Sequence, residues 1–309
     1  MPHVPIPPIS RQNQADRAEQ RWRDVLAARP DLAPALDLQR RLLTIVADLA
    51  GTLENGRLPR LSLPQKYLAA KLARGVPALA GEPIPLPVPV LRPALVQLCE
   101  ALAHGGAGNA AMHIRDAIAT GTIECGSLLA ASLARNQSAI RTGATHRGLA
   151  PDLLWLVSEL AVSPFVHALQ RTLFGGPGEE LRTALERWNR GYCAACGSWP
   201  ALAEVVGGHR TLRCSFCSSA WELTLYTCIY CEESGEKFVT AAPDEERKDR
   251  RLEVCSTCGG YLKTIDLSAL SPFPLLSISD IETTDLDVAA MEHGYQRPVL
   301  KDFTQRRGT

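Results

Sequence analysis

Net charge is the first thing this chain lacks. Its 309 residues carry 33 lysines and arginines against 33 aspartates and glutamates, so no global field draws it to nucleic acid or to an anionic membrane. Long apolar runs are missing as well: no stretch reaches the roughly 18 continuous apolar residues of a membrane span. The opening residues MPHVPIPPISRQNQ show no basic segment followed by an apolar one, and so do not read as a secretory signal. There is no GK[ST] phosphate loop, no G-x-S-x-G elbow and no metalloprotease-type histidine pair. The glycines at 105, 106 and 108 do not complete a dinucleotide fingerprint. Together these absences predict a soluble, unexported protein and argue against a hydrolase.

What is present is cysteine in one pattern. Eight of the ten cysteines form four Cys-x-x-Cys pairs, Cys193/Cys196, Cys214/Cys217, Cys228/Cys231 and Cys255/Cys258. Such a turn aims two sulfurs at one point, and two turns together make a four-thiolate cage suited to zinc or a single iron. Eight cysteines therefore predict two metal ions in four-cysteine sites. Redox dithiols and structural disulfides are the competing readings, but a redox pair normally occurs once, opening a helix. Disulfides need an oxidising compartment. A closed four-thiolate set also lacks the open position of a hydrolytic metal site.

Seventeen residues separate the first two pairs and 23 the last two. Sequential pairing needs the shortest chain closures; interleaved pairing, first with third and second with fourth, stays open. Cys99 and Cys125 have no ligand at metal spacing and read as buried thiols. His209 precedes the second pair, but complete cages leave it no ligand role.

The chain changes texture near residue 190. Before it, Leu36, Leu42, Leu43, Ile45, Val46 and Leu49 recur at helical spacing, and a helix carrying Leu95 to Leu102 starts near Pro93 and stops at Gly105–Gly106. Further helices are expected at 65–74, 110–119, 124–134, 151–173 and 178–189. The proline-rich stretch 75–93 reads as an extended connector. After Tyr192, the segments 201–206, 211–214, 221–226, 237–242 and 251–254 have strand character, each beside a cysteine turn. Gly197 and Gly259 directly follow the second cysteine of their pairs, where positive φ is tolerated; Ser218 and Glu232 hold the equivalent places less ideally. The charged run 244–251 reads as a solvated loop, and a short helix is expected from Asp285 to His293, stopped by Gly294.

The fold class that follows is α+β. An all-helical domain (1–190) precedes two tandem rubredoxin-like or zinc-ribbon subdomains (191–226 and 227–266) and a tail with a short helix (267–309). Trp199 and Trp221 are expected in the ribbon cores or shielding the cages. Tyr261 and Lys263, on a strand leaving the fourth pair, are candidates for partner contact. A nucleic-acid-binding ribbon should be basic, whereas residues 191–266 hold eight lysines or arginines against eleven aspartates or glutamates.

The flanks of the pairs are specific. CAACGSWP (193–200), LRCSFCSSAW (212–221), CIYCEE (228–233) and CSTCGGYLKTID (255–266) resemble the formate dehydrogenase accessory proteins of the FdhE type. Gly197, Ser198 and Pro200, Trp221, Glu232–Glu233 and Tyr261–Leu262–Lys263 carry that resemblance beyond the cysteines. Ala194 departs from it, standing where the family often has proline. The resemblance implies a cytoplasmic maturation factor, not an enzyme, that binds the catalytic subunit of formate dehydrogenase and holds rubredoxin-type iron, or zinc, in its knuckles. A rubredoxin-like electron carrier or redox sensor is the alternative.

Ribbons this small bury little apolar surface, so bound metal should supply part of their folding energy. Cys193→Ser or Cys255→Ser should lose metal and solubility together; a soluble variant still carrying two equivalents by elemental analysis would remove these cysteines from the ligand set.

Overall fold

The computed structural model describes residues 3–7, 10–56, 58–59, 61, 63–242, 248–301 and 303. Its chain divides into two compact units, one of Met1–Glu19, Leu63–Ala78 and Gly175–Phe303, the other built mainly of Gln20–Ser62 and Leu79–Phe174. In chain order the elements begin with β1 (His3–Val4), α1 (Arg11–Ala28), α2 (Ala33–Asn55), α3 (Gln65–Ala73), α4 (Val88–Leu102), α5 (Gly108–Ala119), α6 (Cys125–Leu133) and α7 (Gln137–His146). They continue with α8 (Pro151–Phe174), α9 (Glu179–Glu186), β2 (Pro200–Val206), β3 (His209–Cys214), β4 (Ala220–Trp221), β5 (Phe238–Ala241), β6 (Arg250–Cys255), β7 (Gly260–Asp266), α10 (Leu276–Glu282) and α11 (Thr284–Glu292).

The helical unit is organised around α8, which packs against α2, α4, α6 and α7. Val157, Ala161, Val162, Phe165 and Val166 are fully buried there, in a core that includes Leu36, Leu42 and Val46 of α2 and Leu91, Leu95 and Leu98 of α4. By length and composition α8 could cross a membrane, but 61% of its most apolar window is buried inside the protein. It is the core helix of this unit. Cys99 and Cys125 are buried, as expected, and burial pushes the Cys99 thiol up to about 12.

The proline-rich connector is shorter than its composition suggests. Residues 88–93, expected to be extended, form the start of α4, with a proline in the first turn and Pro93 inside. Early helical positions have no intrahelical acceptor for their amide, so Pro89 there costs no hydrogen bond. Helices α1, α7 and α10 have no counterpart in the sequence reading. Their apolar stripes are thin, and α1 is strongly polar on average.

In the other unit α3 packs against α9, and the seven strands of the described residues join one sheet in the order β1-β4-β3-β2-β7-β6-β5. Neighbours are antiparallel except at the centre, where β2 and β7 run parallel with Ala203 opposite Thr264 and Val205 opposite Asp266. That central pairing joins the hairpin of the first two cysteine pairs to the hairpin of the last two. Ion pairing reinforces it: Arg210 of β3 donates through Nε to Glu253 of β6 at 2.6 Å, and Thr264 of β7 donates to the same carboxylate at 3.0 Å.

Two expectations change here. Arg250, read as loop, lies in β6 with Arg251, where the expected loop 244–251 and strand 251–254 met, and the two are bonded to Glu282 and Asp266 respectively; residues 243–247, which include that run's acidic start, lie outside the described residues. Tyr261 and Lys263 are not available to a partner, being only 4% and 1% exposed. Alternation along β7 puts both on the face covered by the C-terminal helices. There Leu286 and Ala290 of α11 pack on Leu252, Val254 and Tyr261. Tyr261 donates to Asp287 at 2.7 Å, and Lys263 Nζ reaches Asp287 at 2.7 Å and Asp280 at 2.6 Å.

A buried ion pair fixes the β2–β3 hairpin. Arg213 and Glu204 are both fully buried and bonded to each other. Arg213 Nη2 also donates to the Ser271 carbonyl at 2.6 Å, and the Ser271 amide donates back to Glu204 at 3.1 Å. Removing one partner leaves an uncompensated buried charge, which costs about 3–5 kcal/mol. Glu204→Leu should therefore destabilise the protein by that amount in urea unfolding, while Glu204→Leu combined with Arg213→Met should cost less than either single change. Additive losses would show that the pair does not act as a unit.

Candidate metal centres

Each Cys-x-x-Cys segment folds into the same knuckle. The amide following the second cysteine donates to the carbonyl of the first: Gly197 to Cys193 at 2.9 Å, Ser218 to Cys214 at 3.2 Å, Glu232 to Cys228 at 2.9 Å and Gly259 to Cys255 at 2.8 Å. In three knuckles the first cysteine's amide then donates to the carbonyl five residues on, Ser198, Ser219 and Glu233 at 2.8–2.9 Å. Closing so tight a turn drives the residue after the second cysteine into the left-handed region, with φ of 81° at Gly197, 55° at Ser218, 67° at Glu232 and 68° at Gly259. All four knuckles thus share one backbone. Two of them hold a non-glycine residue where a Cβ is disfavoured.

The knuckles assemble sequentially. The sulfurs of Cys193, Cys196, Cys214 and Cys217 lie within 4.8 Å of one another, as do those of Cys228, Cys231, Cys255 and Cys258. In centre one the close pairs are Cys196–Cys214 at 3.5 Å, Cys193–Cys217 at 3.6 Å and Cys196–Cys217 at 3.7 Å. In centre two they are Cys231–Cys255 at 3.6 Å and Cys228–Cys258 at 3.7 Å. A tetrahedral ion with metal–sulfur bonds of about 2.3 Å sets its sulfurs roughly 3.8 Å apart, whereas a disulfide bond is about 2.05 Å. The eight cysteines are free thiols, and the donor sets fit two tetrahedral, thiophilic ions.

The electrostatics of the two sets differ. In centre one all four cysteines are buried. Burial, followed by the neighbouring sulfurs, pushes the Cys193 and Cys217 thiols well above their ordinary range. Without a cation Cys193 and Cys217 hold their protons, so loading the cage means exchanging protons for metal. The amides of Phe216 and Cys217 point at Cys214 Sγ, each at 3.4 Å, and Ser198 Oγ lies 3.3 Å from Cys196 Sγ. Arg213 brings a buried positive charge; burial lowers its pKa, opposed by Glu204 and then by Cys214 and Cys217.

Centre two is more open. Cys228 and Cys255 are buried, while Cys231 and Cys258 are exposed. Burial pushes Cys258 up to about 11. At Cys255 burial also acts upward, but the amides of Cys258 and Thr257 together with the sulfurs of Cys231 and Cys228 outweigh it and the thiol is lowered.

The centres abut. A Cβ on Gly191, two residues before Cys193, would fall 1.8 Å from the Ile229 carbonyl oxygen inside the third knuckle. Trp199 meets the Tyr230 ring edge-on at 4.9 Å, and Tyr230 donates to the Tyr261 carbonyl at 2.9 Å. Trp199 and Trp221 are buried, as expected, and their indoles donate to the carbonyls of Val299 and Arg190, each at 3.0 Å. The C-terminal segment runs across both modules: the Gln296 amide donates to Gly259 at 2.9 Å, Lys301 lies 4.6 Å from the Tyr192 ring and 5.0 Å from Trp199, and Phe303 packs on Tyr192. Sequence reasoning passed over Arg213, Glu204 and Tyr230. Of these, Tyr230, enclosed between two cysteines, carried a local signal. His209 is exposed, 3.8 Å from Glu222, and belongs to neither cage.

Known proteins share this architecture. The chain is 30% identical over 126 residues to the Protein FdhE homolog of Aquifex aeolicus, covering 38% of this chain and 43% of that protein. To Protein FdhE of Escherichia coli it is 32% identical over 118 residues, covering 37% and 38%. These matches thus span less than half the length of either relative. No family model matches. The crystal structure of the FdhE protein from Pseudomonas aeruginosa superposes with a TM-score of 0.60 over 97% of both chains at 24% identity, which is a likeness of fold.

The knuckle backbone makes a paired forecast. Gly259→Ala meets no atom within 4 Å, so its cost of about 1 kcal/mol is purely conformational. Glu232→Gly relieves the same strain and gives up an exposed 3.5 Å ion pair with Arg190, so it should stabilise by up to about 1 kcal/mol. Denaturant unfolding of the metal-loaded variants checks both; shifts of the same sign would refute the shared turn geometry.

Proposed function

Similarity to the FdhE proteins is the premise from which we propose that this chain is a cytoplasmic accessory protein for the maturation of formate dehydrogenase. It binds the catalytic subunit of that enzyme and carries out no turnover of its own. Cys193, Cys196, Cys214 and Cys217 hold one metal ion, and Cys228, Cys231, Cys255 and Cys258 hold a second. The observation that carries this reading is the joining of two complete four-cysteine sets in one sheet, within a fold shared with an FdhE protein along its length. Cages with all four positions taken by thiolates favour a binding role over hydrolysis.

Either zinc or iron suits the donor set. Iron would add one-electron chemistry, and the exposure of Cys231 and Cys258 favours that second reading, a rubredoxin-like carrier or sensor, for centre two. The aromatic contacts and ion pairs of the chain's own residues hold the cages in register whichever ion is present.

The reading is tested in a bacterium deleted for its FdhE protein. Expression of this chain should restore formate dehydrogenase activity, and the tagged chain should retain the catalytic subunit. A folded, metal-loaded chain that restores nothing and captures nothing would overturn it. Full restoration by a zinc-only form would exclude the redox version.

A further inference from the structure

We propose that the two centres have separate duties: centre one is a permanent clamp, and centre two is an exchange site whose ion swaps ligands through Cys231 and Cys258. The proposal rests on the reading that both cages hold metal, and it concerns what that metal does.

The knuckles are alike in backbone but not in surroundings. At Gly197 in centre one, a Cβ would strike Phe303 at 2.5 Å and Pro77 at 3.1 Å; at the equivalent Gly259 in centre two it would meet nothing within 4 Å. The first turn is packed over on its Cβ side; the second is open there, its carbonyl alone bonded to the Gln296 amide at 2.9 Å. Burial follows suit: all four cysteines of centre one are buried, while centre two buries only the first cysteine of each knuckle. Cys231 and Cys258, the second members, therefore form an outward edge of the tetrahedron, within 4.8 Å of each other.

Ligand exchange at a tetrahedral thiolate ion needs an incoming donor to reach the metal or a departing sulfur to be hydrated. Centre one offers neither. In centre two an incoming thiol gives up its proton and forms a metal–sulfur bond. The bond to Cys231 or Cys258 breaks, that sulfur takes a proton, and the oxidation state of the ion is unchanged. Cys228 and Cys255 keep hold during the swap, so the ligand class implied is a thiolate that completes the cage from outside.

The full-length protein, loaded with two equivalents of zinc, is mixed with excess 4-(2-pyridylazo)resorcinol. One equivalent should leave at least about tenfold faster than the other, and added glutathione should accelerate the fast equivalent only. Limited iodoacetamide treatment followed by peptide mass spectrometry should mark Cys231 and Cys258 before any cysteine of centre one, leaving one bound ion. Cys231→Ser should abolish the fast equivalent; because that variant can fail to fold, the labelling order in the unmodified protein decides independently. Release of both ions at one rate, or first labelling in centre one, overturns the proposal while leaving the accessory role intact. A folded protein that takes up no zinc or iron overturns the metal reading beneath it.

Discussion

The parallel pairing of β2 with β7 is the constraint on which the rest of this unit depends. Each cysteine module alone is a hairpin with two turns, too small to bury a core. Joined at Ala203–Thr264 to Val205–Asp266, the hairpins form a seven-stranded sheet with apolar clusters of its own. Ala201, Leu202 and Ile265 gather against Leu276 of α10, and Leu252, Val254 and Tyr261 against α11. A parallel pair cannot be closed by a tight turn, so the connection contains most of the second module. The two cages are thereby placed side by side, although no local signal in the sequence brings one module to the other.

Charge is handled differently at the two centres. Four thiolates around a divalent ion leave a net negative cage, which burial penalises. Both centres set amides on their sulfurs, Phe216 and Cys217 on Cys214 in one and Thr257 and Cys258 on Cys255 in the other, but centre one adds Arg213, held in place by Glu204 and the Ser271 carbonyl. Centre two keeps no comparable buried cation among the described contacts and leaves its charge partly to solvent through Cys231 and Cys258. The Lys263, Asp280, Asp287 and Arg297 cluster lies on the helix-covered side of β7 and ties α10 and α11 to the sheet.

The cages were legible in the sequence because metal ligation imposes a spacing that survives translation into one dimension. Cys-x-x-Cys fixes a turn, and the residue after it reports the turn's handedness, as Gly197 and Gly259 do. Chain closure favoured the sequential partnership of the knuckles without excluding the interleaved one, and the sulfur positions decide for the sequential. What could not be read was anything set by distant packing. Tyr261 and Lys263 alternate as an exposed strand would, yet α11 covers them; the decisive residues, Asp280 and Asp287, come well after β7 has ended. Arg250 and Arg251 look like part of a solvated run until Glu282 and Asp266 are seen to receive them. Pro89 misled because composition was read without position: the same residue that breaks a helix inside is harmless in its first turn, although Pro93 is carried inside α4.

The difference between the centres is not encoded in the cysteines either. Both follow the same spacing, the same hydrogen-bond plan and the same left-handed residue. It arises from where each knuckle stands. The Ala78 amide donates to the Ala194 carbonyl at 2.8 Å, which brings the 77–78 segment against the first knuckle, and Phe303 closes over Gly197 from the other end of the chain. At Gly259 the C-terminal segment supplies only the Gln296 amide, on the carbonyl, and leaves the Cβ side open, and β5 at the sheet's edge is largely exposed. Trp199 and Tyr230 still place the open site in direct contact with the closed one. A ligand arriving at Cys231 or Cys258 therefore acts on a knuckle whose interior aromatic rests on the packed module, so the closed centre supplies the rigid wall against which the open one can change.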